Sequence, residues 1–129
     1  MSEKELCRKA MDMLCRAYAP YSRFTVGAAL ECANGTVFTG CNIENAAYSP
    51  TVCAERVAIF SAVSAGYHDF KRIAIAGRTD YCVPCGVCRQ VMREFCNDDF
   101  EIICLNGQGE SRRFRLGDLL PFSFSADML

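Results

Sequence analysis

The sequence lacks an excess of either charge: fourteen Lys and Arg face fifteen Asp and Glu over 129 residues, a net charge of -1. With no basic surplus, and no Lys/Arg stripe long enough to follow a phosphate backbone, a nucleic acid polymer is excluded as a partner. The densest basic stretch is Arg112, Arg113 and Arg115. On a strand Arg113 and Arg115 share a face and Arg112 points away, which reads as a solvated edge. The chain also lacks any apolar run near the ~18 residues that cross a bilayer, so no membrane partner is expected. Its start, Met1-Ser2-Glu3-Lys4-Glu5, carries charge and no apolar signal core, and the expected location is cytoplasmic. Histidine is scarce. The one copy, His68, lies past the end of an expected helix and too far along it to share a site with Cys53. No linker, repeat or low-complexity segment interrupts the chain, so residues 1–129 are expected to form one domain.

Apolar residues make up 51% of the composition, enough for a substantial core, and ten are cysteines. In a reducing compartment those are expected to be buried thiols or metal ligands rather than disulfides.

Ser2 and Glu5 match a capping box, and Leu6, Ala10, Met13, Leu14 and Ala17 recur at helical spacing, predicting a helix over residues 3–18 closed by Pro20. Two strands are expected over 24–33 and 36–43, joined at Asn34-Gly35, a strong hairpin signal. A helix over 52–65 follows, with Thr51 as N-cap and Gly66 as its stop. Residues 71–77 read as a central strand, 86–96 as a helix, 100–105 as a buried strand and 111–116 as a more polar one. A short helix is expected near 117–120. Helical crossovers imply parallel pairing and the hairpin antiparallel pairing. The expected fold class is α/β: a three-layer α/β/α sandwich with a mixed five-stranded sheet.

Two short segments carry the chemistry: Cys53-Ala54-Glu55 and Pro84-Cys85-Gly86-Val87-Cys88. Each opens an expected helix. Three positions apart at a helix start, Cys85 and Cys88 share a face, and helix N-termini favour the thiolates that zinc requires. Both helices follow strands, so their starts can meet at one sheet end, where open α/β sheets place ligands. Three thiolates leave one zinc position open for water, as in a catalytic site. Glu55, two residues after a ligand, can stand beside the metal without binding it. There it can take a proton from metal-bound water and return it to a leaving group. A rival reading involves Cys82, which forms a second C-x-x-C with Cys85. Four sulfurs would close the site and make the chain a structural or interaction module. Pro84 and the abrupt helix start make Cys82, Cys85 and Cys88 hard to aim at one centre, so three sulfurs are expected.

The segments Tyr18-Ala19-Pro20-Tyr21-Ser22 with Phe24, Val26-Gly27-Ala28-Ala29-Leu30, Gly40 to Tyr48, Cys53 to Arg56, Pro84-Cys85-Gly86 and Cys88-Arg89-Gln90 run in order along the chain. With Leu119-Leu120-Pro121 and Phe124 they resemble the small homotetrameric zinc-dependent cytidine deaminases over essentially the whole length. Departures are Cys82 and its loop, Val87 inside the metal motif, and Pro50-Thr51. The resemblance implies hydrolytic deamination of free cytidine and deoxycytidine to uridine and deoxyuridine plus ammonia, as in pyrimidine salvage. Hydroxide on one Zn2+ per chain would attack C4 of the base.

The same resemblance implies that Cys53, Cys85 and Cys88 bind zinc and that Glu55 is the proton shuttle. Asn42 and Glu44 would hold the ribose hydroxyls, and both point the same way at a strand end. Phe24 and Phe124 would pack on the pyrimidine, Ala54 would offer backbone groups to the base, and Tyr48 would stand near a neighbouring subunit's site. Three thiolates leave zinc with a net negative charge, which makes its water less acidic. Arg56, oriented by Gln90, is implied to relieve that charge. A deaminase of aminonucleoside antibiotics shares the metal motifs, but Asn42-x-Glu44 suits a ribose diol.

Overall fold

The computed structural model describes residues 1–129. The strands are β1 (Val26–Cys32), β2 (Val37–Cys41), β3 (Phe70–Gly77), β4 (Glu101–Leu105) and β5 (Ser111–Arg115), in the sheet order β2-β1-β3-β4-β5. The helices are α1 (Glu3–Asp12), α2 (Ala54–Ser64), α3 (Gly86–Phe95) and the single turn α4 (Leu116–Leu119).

Alternation along the strands makes three layers. Ala28, Leu30, Ile73, Ile75, Ile102 and Cys104 face one way, into a core shared with Ala58, Ile59 and Ala62 of α2 and Cys88 and Met92 of α3. Their neighbours Ala29, Ala74, Ala76, Ile103 and Leu105 face the other way, onto Leu6 and Ala10 of α1. The expected mixed α/β/α sandwich is what forms.

The two helical crossovers have different outcomes. β3 and β4, joined through α3, are parallel neighbours. β2 and β3, joined through α2, also run the same way, but β1 lies between them, antiparallel to both. That arrangement places the site. Cys41 at the end of β2 pairs with Gly27, and Gly77 at the end of β3 pairs with the adjacent Val26. Both chains therefore leave the sheet side by side before turning into α2 and α3.

Boundaries differ from expectation where side chains intervene. α1 stops at Asp12 and tightens into a 3-10 turn, Met13–Arg16. Ser2 does cap it, accepting from the Glu5 amide at 3.1 Å. The hairpin loop holds three residues, Ala33, Asn34 and Gly35, since the Cys32 amide bonds to the Thr36 carbonyl at 2.8 Å. Gly35 takes the left-handed conformation, φ +92, that closes such a loop. Thr51 is not the N-cap of α2; Cys53 is. Val52 stays extended because it exchanges two backbone bonds with Ile43, each 3.0 Å, and the Thr51 hydroxyl instead accepts from the Asn45 amide. At the other end Gly66 and Tyr67 donate to the Val63 and Ala62 carbonyls, a Schellman closure of α2.

Candidate metal centre

Cys53 is the N-cap of α2 and Cys85 the N-cap of α3, while Cys88 lies in the first turn of α3 and is fully buried. Their three sulfurs lie within 4.8 Å of one another. Cys53 Sγ and Cys85 Sγ are 3.8 Å apart. Sulfurs bound tetrahedrally about 2.3 Å from one zinc stand about 3.8 Å apart, so the donor set fits that ion. Proton chemistry fits too. Hydrogen bonding with the Cys88 thiol, followed by the Arg56 guanidinium, draws the Cys53 thiol down to about 5 against the effect of burial. Cys88 is pushed up by the same hydrogen bond and by burial. A metal at this point would take the place of the thiol protons.

Cys82 lies outside the three-sulfur group. It is buried beside Gly77 at the end of β3, and burial pushes its thiol up to about 12. His68, past the end of α2, is exposed and stacks on Phe95, ring centres 6.2 Å apart.

Glu55, in the first turn of α2, is only 3% exposed. Burial, reinforced by the neighbouring Cys53 charge, raises its carboxyl to about 7. A carboxyl poised there can both hold and release a proton near neutrality. Ala54 is fully buried between Cys53 and Glu55. Arg56 turns back on its own helix, and its Nη2 donates to Cys53 Sγ at 3.4 Å.

Gln90 does not reach Arg56 by a hydrogen bond. Its Nε2 donates to the Phe124 carbonyl at 2.9 Å. One turn along α3 from the metal motif, it faces the C-terminal segment, which Arg89 also holds through the Leu119 carbonyl at 2.8 Å. Arg89 ties the same segment to the metal loop, donating from Nε to the Pro84 carbonyl at 2.7 Å.

Asn42 is buried, and its carboxamide already has two partners. Oδ1 accepts from the Val26 amide at 2.9 Å, and Nδ2 donates to the Phe24 carbonyl at 2.7 Å. One Nδ2 hydrogen remains to be given. Glu44 accepts from the amides of Tyr21 and Ser22, at 2.9 and 3.1 Å, and from the Ser22 hydroxyl. The Ser22 hydroxyl is the main cause holding the carboxyl below its ordinary range, with the two amides adding to it. Tyr21, Ser22, Glu44, Asn45, Tyr48 and Thr51 line a cavity of about 330 Å³, two residues from Cys53 at its Thr51 wall. A larger cavity, about 790 Å³, lies between the end of α3 and the C-terminal segment and contains none of the metal-binding thiols. Phe24, Tyr48 and Phe124 are more than half exposed, and Tyr48 takes a left-handed backbone, φ +28.

Ser22, Tyr21, Arg89 and Gly40 lie in the matching segments, but the sequence assigns them no role. Only Gly40 carried a readable signal, an isolated glycine inside a strand, which marks close backbone approach.

Three thiols converge on two helix starts beside a buried carboxylate, and known proteins resemble the chain that carries them. Residues 1–104 match the family model described as the cytidine and deoxycytidylate deaminase zinc-binding region. A cytidine deaminase of Sporosarcina psychrophila is 50% identical over 115 residues, 88% of this chain and 85% of the relative. That of Halalkalibacterium halodurans is 45% identical over 128 residues, 98% of this chain and 97% of the relative. The crystal structure of the cytidine deaminase from Burkholderia pseudomallei superimposes with a TM-score of 0.92 at 48% identity, covering 96% of this chain and 100% of that one. Sequence, fold and sulfur geometry agree, and the chain belongs to the zinc-dependent cytidine deaminase family of hydrolases.

Proposed function

We propose that this enzyme hydrolyses the 4-amino group of free cytidine and deoxycytidine, releasing ammonia and leaving uridine or deoxyuridine. One observation carries the reading: three sulfurs converge on a point with a buried carboxylate two residues from one of them. Cys53, Cys85 and Cys88 would hold the zinc, which would supply Lewis-acid chemistry there. Glu55 takes the proton of the attacking water at its carboxylate and delivers it to the departing amine. Its burial keeps the carboxyl near neutrality in pKa, suited to both halves of that task. Arg56, bonded to Cys53 Sγ, offsets the negative charge of three thiolates.

Asn42 and Glu44 hold the sugar hydroxyls, Glu44 as a pure acceptor and Asn42 through its spare Nδ2 hydrogen. Phe24 and Phe124 pack on the pyrimidine, and Ala54 presents backbone groups to the base. The chain works as one catalytic domain and as a homotetramer. Support comes from Phe24, Tyr48 and Phe124, large rings left more than half exposed, which a neighbouring subunit would cover. Sedimentation should then give about 57 kDa, four chains of 14.3 kDa. The enzyme's expected place is the reducing cytoplasm, where the seven cysteines outside the metal group would stay thiols. No helix is long and apolar enough to cross a membrane.

The deciding experiment follows the ultraviolet change of cytidine on adding purified, zinc-loaded protein and its Glu55→Gln variant. The variant is expected to keep its zinc and its fold while turnover falls by roughly 10²-fold to 10⁴-fold or more. Substantial residual turnover would remove Glu55 from the proton transfers. No turnover of cytidine by the unmodified enzyme, with turnover of an aminonucleoside antibiotic, would replace the substrate.

A further inference from the structure

Glu44 does not stand free at the end of β2. The segment from Tyr18 to Phe24 is laced to it by backbone and side chain together. The Tyr18 amide donates to the Asn42 carbonyl at 3.0 Å, and the Glu44 amide donates back to the Tyr18 carbonyl at 2.8 Å. Beyond this bridge the chain turns through Arg23, whose backbone is left-handed at φ +60 and whose amide closes onto the Ala19 carbonyl at 2.9 Å. That turn aims the Tyr21 and Ser22 amides at Glu44 Oε1. The other oxygen, Oε2, has one partner, the Ser22 hydroxyl.

The hydroxyl's hydrogen-bond directions follow from its other contact. The Phe24 amide donates to Ser22 Oγ at 3.0 Å. An N–H can only donate, so the oxygen accepts there and its single proton goes to the carboxylate. Ser22 thus links two groups assigned above to different parts of the nucleoside: Glu44, which meets the sugar, and Phe24, which meets the base. Without the hydroxyl, Oε2 loses its one partner and the carboxylate, held only at Oε1 by the two amides, can tilt about that pivot.

We infer that Ser22 is a positioning residue for sugar recognition, its hydroxyl fixing the Glu44 carboxylate in the orientation that accepts from the sugar diol. The inference rests on the reading of Glu44 as the sugar-binding carboxylate, and its test keeps the two separable. Cytidine and 2′,3′-dideoxycytidine, which lacks both hydroxyls, are compared as substrates of the zinc-loaded enzyme and of Ser22→Ala, Ser22→Thr and Glu44→Gln.

Losing one hydrogen bond to a charged acceptor should raise KM for cytidine roughly 3-fold to 10-fold in Ser22→Ala. Its kcat should stay within about twofold, and KM for the dideoxy substrate should not move, because the anchored group has nothing to receive there. Ser22→Thr keeps the hydroxyl and should restore the unmodified KM. Equal rises with both nucleosides, no rise at all, or a Thr variant as impaired as Ala would overturn the role of the hydroxyl. If Glu44→Gln discriminates between the two substrates while Ser22→Ala does not, Ser22 alone fails. If Glu44→Gln treats them alike, the sugar reading itself fails and the inference falls with it.

Discussion

Arg56 donates from Nη2 to Cys53 Sγ at 3.4 Å, from three residues further along the start of α2. Its Nε is buried without a protein partner, and the bond to Cys53 Sγ is the guanidinium's one side-chain contact of that kind. A cation so placed drains charge from one of three thiolates. Arg56→Ala should therefore slow catalysis by roughly 10-fold to 100-fold, the usual range for removing a ligand's hydrogen-bond partner. Zinc content measured by plasma emission should stay close to one per chain, because all three sulfurs remain. Unchanged kcat would show that the thiolate charge needs no such relief.

The thiols outside the metal group make a second prediction. Burial pushes Cys82, Cys96 and Cys104 each up to about 12, whereas Cys15 is exposed. A raised thiol pKa favours the protonated form, so these three stay unreactive until the pH approaches 12. At pH 8 about one in ten thousand is thiolate, against roughly a quarter for an ordinary exposed cysteine. Alkylation of the folded, zinc-loaded protein, read by peptide mass spectrometry, should modify Cys15 rapidly and Cys82 at least about 10³-fold more slowly. Rapid labelling of Cys82 would contradict its burial beside Gly77.

X-ray absorption at the zinc edge gives the third. Three sulfurs and one lighter atom are expected, since Cys82 stands outside the group formed by Cys53, Cys85 and Cys88. Four sulfurs would bring Cys82 into the site and leave no place for water. Cys82→Ser separates the outcomes by a second route: zinc content should not change.

The metal set was legible because its geometry is local. Cys85 and Cys88 are one helical turn apart, and a helix start after a strand is readable from Pro84 and the apolar spacing that follows. The layers were legible for the same reason, since Ile73, Ala74, Ile75 and Ala76 must alternate between faces. What failed depended on partners distant in sequence. Thr51 looked like a helix cap until the Ile43–Val52 bridge held the chain extended past it. Gln90 bonds not to Arg56 but to the Phe124 carbonyl, because the C-terminal segment returns over α3 and takes its amide. Ser22 was invisible as a functional group because its partner Glu44 lies 22 residues away.

Gly40 supplies the last prediction. A methyl group added there would sit 2.4 Å from the Ala54 carbonyl oxygen and 2.6 Å from the Ala58 amide nitrogen. Both are backbone atoms of α2, so no side chain can swing aside. β2 approaches this closely because Gly40 has no Cβ, and the contact seats the turn carrying Cys53, Ala54 and Glu55 against the sheet. Gly40→Ala must lift that turn. Overpacking of this kind costs about 1–3 kcal/mol, which for a chain of this size lowers Tm by roughly 3–12 °C. Lifting the turn also moves Cys53 away from Cys85, so zinc should dissociate faster, read as the rate of uptake by a chromogenic chelator. Gly86, where nothing lies within 4 Å of an added methyl, is the control: Gly86→Ala should leave Tm unchanged or slightly raised. Equal behaviour of the two variants would mean that close approach at Gly40 does not hold the metal-binding turn in place.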